Sequence, residues 1–217
     1  MFNRRQIIKL FVFCGGLALT FFNSSINGIG LLFAAAKRRL LHKGTPMSEL
    51  MHDDPAKIDT RNLETTPIDE FDVMGETDFS VNLDEWRLEI SGAVKRPASF
   101  TYQELLNRPA IERNVLLICS GFFAYNGLWK GFSVADLLRE LGYDPKARRV
   151  KFSGSAGFRR KNLRYDMEEV MSDKVFIAYA VNGQPLPQRH GFPLRLVADD
   201  HLGRRCVKYI NQVTVTL

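Results

Sequence analysis

NVLLICSGFFAYNGLWKGF, residues 114–132, ends an apolar run in a cysteine and follows it at once with glycines and aromatics. Val115–Ile118 is apolar and bounded by Arg113-Asn114 and by Ser120-Gly121, which predicts a buried strand of minimal length with the Cys119 thiol at its end. Gly121, Gly127 and Gly131 predict a loop that turns back on itself and brings backbone amides near whatever Cys119 holds. A free cysteine more often behaves as a small buried hydrophobe. Whether Cys119 serves a ligand therefore depends on sequence elsewhere.

Outward from this stretch the chain alternates strands and short helices. Upstream, Trp86, Leu88 and Ile90 share one face of a half-buried strand within Leu83–Val94, and Thr101 with Glu104 forms a capping box that opens a short helix. Pro67–Phe79 reads as irregular, with a turn at Gly75. Downstream, Ser133 caps a helix over Val134–Leu141 that Gly142 ends. Arg149–Gly154 predicts a strand, with Gly154–Gly157 loose enough to approach a ligand, and Tyr165–Met171 a short helix. Val175–Val181 predicts a central strand, and Pro193–Ala198 and Val207–Leu217 supply the last ones. With no regular βαβ rhythm, the class is α+β, a mixed-sheet fold.

At 217 residues and 45% hydrophobic, the chain is long enough for one domain, expected over 60–217, with an N-terminal addition. Arg4-Arg5-Gln6-Ile7-Ile8-Lys9 followed by an uncharged run looks like a twin-arginine export signal over residues 1–36. A retained anchor is the competing reading, since Leu10–Ala36 carries no charge and spans a hydrocarbon layer of about 30 Å. Residues 37–59 are polar and read as a linker or arm. The net charge of +6 is uneven: Ser48–Ile90 is acid-rich, while Pro145–Tyr165 carries eight cations and no acid. In an exported protein that basic stretch reads as a solvated face that steers an anionic ligand or partner, not as a nucleic-acid site. Cys119 and Cys206 have the option of a disulfide in an oxidising compartment. No CxxCH, CxxC or HxxxH pattern suggests covalent haem, zinc or iron–sulfur.

Two further blocks follow the Cys119 stretch with its later Trp129: NGQPLPQRHGFPLRLV at 182–197 and GRRCVK at 203–208. Together they resemble the sulfite oxidase family of molybdopterin-binding oxidoreductases, from about Thr60 to the C-terminus, and within it the bacterial sulfoxide-reducing branch. The resemblance implies molybdopterin and molybdenum as cofactors, with Cys119 as the metal ligand. It implies that His190, Arg195 and Lys208 hold the pterin and its phosphate, as Arg and Lys chemistry suits. It places Cys206 and Val207 where backbone meets the pterin, leaves both cysteines unpaired, and assigns Asp69, Asp72, Val73 and Gly154 to further pterin contacts. Asp69 and Asp72 depart from the family, replacing an amide and an aromatic.

Ala124 stands where sulfite-oxidising relatives carry an arginine, in a stretch with Phe122, Phe123, Tyr125 and Trp129. An apolar mouth suits a neutral sulfoxide better than a small dianion. Tyr125 is a candidate proton donor and Trp129 a packed lid. The resemblance further implies periplasmic oxygen-atom transfer by a monomeric catalytic subunit, paired with a separate redox partner such as a membrane haem protein or cytochrome. A sulfite dehydrogenase-like enzyme and a non-catalytic binding module of the same fold are the alternatives.

Overall fold

The computed structural model describes residues 38–156 and 159–217, with side chains left out at 155, 156, 159 and 160; the expected leader, residues 1–36, lies outside the described residues. Within Arg38–Leu217, one compact unit, the strands and helices in chain order are β1 (Arg39–Leu40), β2 (Ile58–Asp59), β3 (Leu88–Gly92), β4 (Ala98–Phe100), α1 (Tyr102–Leu106), β5 (Ala110–Cys119), β6 (Phe123–Ser133), α2 (Val134–Leu141), β7 (Arg149–Ala156), β8 (Arg159–Asp166), α3 (Met167–Met171), β9 (Val175–Val181), β10 (Gln184–Pro185), β11 (Arg195–Ala198) and β12 (Ile210–Thr216). One sheet runs β10-β9-β6-β5 with β11 also on β9, and a second runs β4-β3-β12-β7-β8. The β12–β3 pair is parallel and its neighbours are antiparallel, so the fold is mixed-sheet α+β.

Local sequence explains the helix ends. Thr101 Oγ1 accepts from the Glu104 amide while Glu104 accepts from the Thr101 amide, closing the predicted capping box of α1. Ser133 accepts from the Asp136 amide at the start of α2, and Gly142 ends it in the left-handed region at φ 70°. Val134, Leu137, Leu138 and Leu141 of α2 enter a core that also takes Leu88 and Ile90 from β3, Val150 and Phe152 from β7, and Val213 and Val215 from β12.

The Cys119 stretch departs from the expected loop. β5 is a full strand, and a tight turn leads from it into a second long strand, β6, with Cys119 opposite Phe123 and Ala110 opposite Phe132. Only Ser120–Phe122 turn, with Gly121 at φ 77°. Gly131 is therefore a strand residue: a Cβ there would run into the Ile177 carbonyl and lie 2.6 Å from Ala178 Cα on β9. The glycine marks close strand approach, not a loop.

Of residues 37–59, expected as a linker or arm outside the core, 38–59 form an arm with packed apolar residues. β1 pairs in parallel with β2, and Leu41, Leu50 and Ile58 are buried with Leu116 and Ile118 of β5. Val115 and Leu117 face the other way, into a cluster with Tyr125 and Trp129. A strand buried on both faces reads as a continuous apolar run, and the arm covers one of those faces.

Leu50 is fully buried, so Leu50→Ala should cost about 2–5 kcal/mol of unfolding free energy in a denaturant titration. A free linker would give no change.

Candidate cofactor site

A cavity of about 630 Å³ opens at the end of the β5–β6 hairpin. Residues 72–76 wall one side, Gly154 of β7 and Lys161 of β8 another, and Arg195, Gly203, Arg204, Cys206, Lys208 and Tyr209 the rest. Cys119 reaches it because the strand carries its thiol to the last paired position. The thiol is free and half-buried, with Sγ 3.8 Å from Met74 Sδ. Burial pushes its pKa up while the Lys161 ammonium opposes that shift. A metal must displace this proton to bind.

The family-type cations come from the segment after β10. Arg195, at the start of β11, is buried; its Nη1 donates to the His190 carbonyl at 3.0 Å, and its guanidinium lies 5.1 Å from the Trp129 ring centroid. The Lys208 ammonium donates to the carbonyls of Glu76 and, at 3.2 Å, Arg189. Burial and the neighbouring Arg195 and Lys161 charges push its pKa down to about 8. His190 is buried edge-on to Phe71 and Tyr125, and desolvation followed by Arg195 pushes it down to about 4. Two buried nitrogens, His190 Nδ1 and Arg195 Nε, have no hydrogen-bond partner.

The expected residues divide between two cavities. Cys119, Tyr125, Asp72, Val73, Gly154, Arg195, Cys206 and Lys208 line the first. Asp69 and His190 line a second of about 580 Å³ with Asn182 and Arg189, and the Arg195–His190 hydrogen bond connects the walls of the two. Val207 is fully buried behind Gly154. Gly154 is not loose: a Cβ would strike the Lys208 carbonyl and approach Val207 Cγ1 to 2.8 Å, so its bareness lets β7 seat the 207–209 backbone.

The aromatic mouth is smaller than its sequence suggests. Phe123 and Tyr125 line the cavity, whereas Phe122 is 69% exposed at the turn and Trp129 is fully buried in the core. Phe123, Tyr125 and Trp129 share one face of β6, and the Trp129 ring lies fully buried with its centroid 6.5 Å from that of Tyr125. It is a core residue, not a lid. Tyr125 stacks on Phe71 at 4.0 Å, and burial raises its pKa, which keeps the hydroxyl protonated.

A model of the oxidoreductase molybdopterin-binding domain matches residues 74–217. The chain belongs to that family. Similar proteins include nitrate reductase [NADH] 1 of Arabidopsis thaliana, 31% identical over 62% of this chain and 18% of that protein. Nitrate reductase [NADH] 1 of Nicotiana tabacum is also 31% identical, over 61% of this chain and 18% of its own length. This chain thus spans under a fifth of either relative. The sulfane dehydrogenase SoxCD from Paracoccus pantotrophus shares the fold with a TM-score of 0.60 at 20% identity, over 83% of this chain and 51% of that one.

The family's cofactor is molybdopterin with molybdenum, and the site fits it. The unpartnered Arg195 Nε–H, with the Lys208 ammonium, suits an anionic group, and His190 Nδ1 beside it also lacks a partner; buried polar atoms without partners are rare unless a ligand completes them. Among the described residues no group of three or more His, Cys, Asp or Glu forms a metal cage of its own. Cys119 and Cys206 both line the cavity as free thiols, and one soft thiolate suits a metal already held by dithiolene sulfur. Sequence reading did not single out Met74, Glu76, Lys161 or Arg204. Lys161 was discoverable, because Lys161, Leu163 and Tyr165 share one strand face, and Tyr165 is buried.

With His190 held at about 4 when folded and about 6.5 when unfolded, the unfolded chain binds more protons between those values, so stability rises with pH across that window. In the cofactor-free protein, a His190→Gln substitution should flatten the rise in unfolding midpoint between these pH values.

Proposed function

We propose that this protein is an exported molybdenum oxidoreductase that moves an oxygen atom to or from sulfur or a related centre, with Cys119 as the protein ligand to the metal. The observation that carries this reading is the convergence of the Cys119 thiol with Arg195 and Lys208 on a single cavity. Bound there, the cofactor supplies two-electron oxo-transfer chemistry. Arg195, His190 and Lys208 would hold the anionic end of the pterin, and Asp72 would accept from its N–H groups. Gly154 and Val207 seat the 206–208 backbone that would meet it. The buried Tyr125 hydroxyl keeps its proton and can donate it to a substrate oxygen.

Phe123 and Tyr125 give the cavity an apolar wall suited to the organic part of a sulfoxide. The Arg-Arg-x-apolar-apolar-Lys leader supports twin-arginine export to the periplasm, by a route that carries folded, loaded proteins. A separate redox partner, a membrane haem protein or cytochrome, would exchange the electrons. A sulfite dehydrogenase-like activity is the second reading, and the cations Lys161 and Arg204 in the cavity wall favour it.

Cys119→Ser should lose sulfoxide turnover with an artificial electron donor by more than the 10–100-fold typical of an outer-shell change. Pterin content should persist, whereas Arg195→Ala with Lys208→Ala should lose the pterin itself. Full activity in the serine variant, with metal bound, would refute the ligand assignment.

A further inference from the structure

Three sulfur side chains converge on the first cavity, and the cofactor reading uses one of them. Cys119 and Cys206 line it as free thiols. The Met74 thioether lines it too, with its sulfur 3.8 Å from that of Cys119.

Each sulfur is brought there by a different part of the chain. β5 carries Cys119 to its last paired position. Met74 lies between two anchors. On one side Phe71 is buried and stacked on Tyr125; on the other the Glu76 carbonyl accepts from the Lys208 ammonium and, at 3.1 Å, from the Tyr209 hydroxyl. Cys206 follows the short helical turn Gly203–Arg205, and its amide donates to the Gly203 carbonyl at 3.0 Å. That turn sits on the end of β5: a Cβ on Gly203 would lie 2.7 Å from Leu117 Cδ2 and 3.2 Å from the carbonyl of Ile118, the neighbour of Cys119. Both thiols act on the Lys161 ammonium and both act on the Tyr125 hydroxyl, so they border the same space.

Apolar packing does not account for Met74. It is 49% exposed and belongs to none of the three apolar clusters. Two sulfurs that share one ion at about 2.3 Å each, with a tetrahedral opening between them, lie about 3.8 Å apart. The Cys119–Met74 spacing already has that value.

The donor set and the surrounding charge select the ion. Thiolate with thioether sulfur is soft, and suits Cu(I) rather than the hard cations that seek oxygen. Lys161, Arg195, Arg204 and Lys208 line the cavity against the two acids Asp72 and Glu76, which disfavours a bare dication. Cu(I) on two thiolates and a neutral thioether carries a net charge of −1, and those cations favour it. The buried, unpartnered Arg195 Nε–H is available to such an anion. Binding exchanges one Cu(I) for two thiol protons and moves no electrons.

We infer that Cys119, Met74 and Cys206 form a Cu(I) site in the protein without its pterin cofactor. The site goes beyond the oxidoreductase reading and does not depend on it. Copper and the molybdenum cofactor then exclude each other, because both take the Cys119 sulfur.

The test uses the full chain in detergent, made without the pterin cofactor and kept reduced under anaerobic conditions. Cu(I) is titrated in competition with the chromophoric chelator bicinchoninate, with Zn(II) as the control ion. One Cu(I) per chain should bind, and X-ray absorption at the copper edge should show three sulfur neighbours. Losing a ligand should weaken binding by at least the roughly 10- to 100-fold typical of losing a ligand's supporting partner. Met74→Leu is the deciding variant, since its exposed position spares the fold; Cys119→Ser and Cys206→Ala should each cost more, with the thermal unfolding of the metal-free variants checking their fold. Undiminished binding in Met74→Leu, a copper shell of nitrogen or oxygen, or tighter binding of Zn(II) than of Cu(I) would overturn the inference. So would pterin uptake that leaves the copper in place. None of these results bears on turnover by the molybdenum-loaded enzyme, so the oxidoreductase reading stands or falls separately.

Discussion

The site depends on burying β5 from both sides. Val115 and Leu117 face the Trp129 cluster, and Leu116 and Ile118 face the arm. Each such side chain contributes roughly 1.5–3 kcal/mol when removed from water, so the strand cannot slip by one residue without exchanging two packed faces. Cys119 inherits that register. The turn after it is fixed as well, since the Gly121 amide donates to the Met51 carbonyl of the arm at 3.0 Å. The Cys119 thiol is thus placed by apolar burial and by one backbone hydrogen bond, not by polar groups of its own.

The cation side is placed by close backbone packing. Val207 pairs with Leu196, whose amide donates to its carbonyl at 2.8 Å, and the Ile210 amide donates to the Leu194 carbonyl at 2.9 Å. Gly154 and Gly191 leave no room for side chains against the 207–209 segment; a Cβ on Gly191 would come within 3.1 Å of Lys208 Cα. These approaches hold Lys208, Arg195 and His190 together, where Glu76 only partly offsets the cations around Lys208. Desolvation first, and the neighbouring cations after it, lower the pKa values of Lys208 and His190. An anion bound among them offsets both effects, so cofactor loading should also stabilise the fold.

Much of this was legible in the sequence where one local rule decided the outcome. Ser133 and Gly142 bound α2 as caps do anywhere, and Val175–Val181 is the interior strand its uniform apolarity implies. The family blocks brought most of the expected site residues to one cavity. Legibility failed where two rules competed. Gly127 and Gly131 signal a loop by propensity, yet in β6 they answer the approach of neighbouring side chains and of the β9 backbone, which no local pattern reveals. The arm looked like a linker because its few apolar residues are spaced irregularly, and only the exposed face of β5 explains their burial. Lys161 was submerged in a basic run and regains meaning only through the alternation of β8.

X-ray absorption at the molybdenum edge of the purified, loaded full chain tests the central claim most directly. If Cys119 binds the metal, Cys119→Ser should retain molybdenum and lose one sulfur neighbour from the metal's coordination shell relative to wild type. An unchanged sulfur shell in the variant would contradict the account.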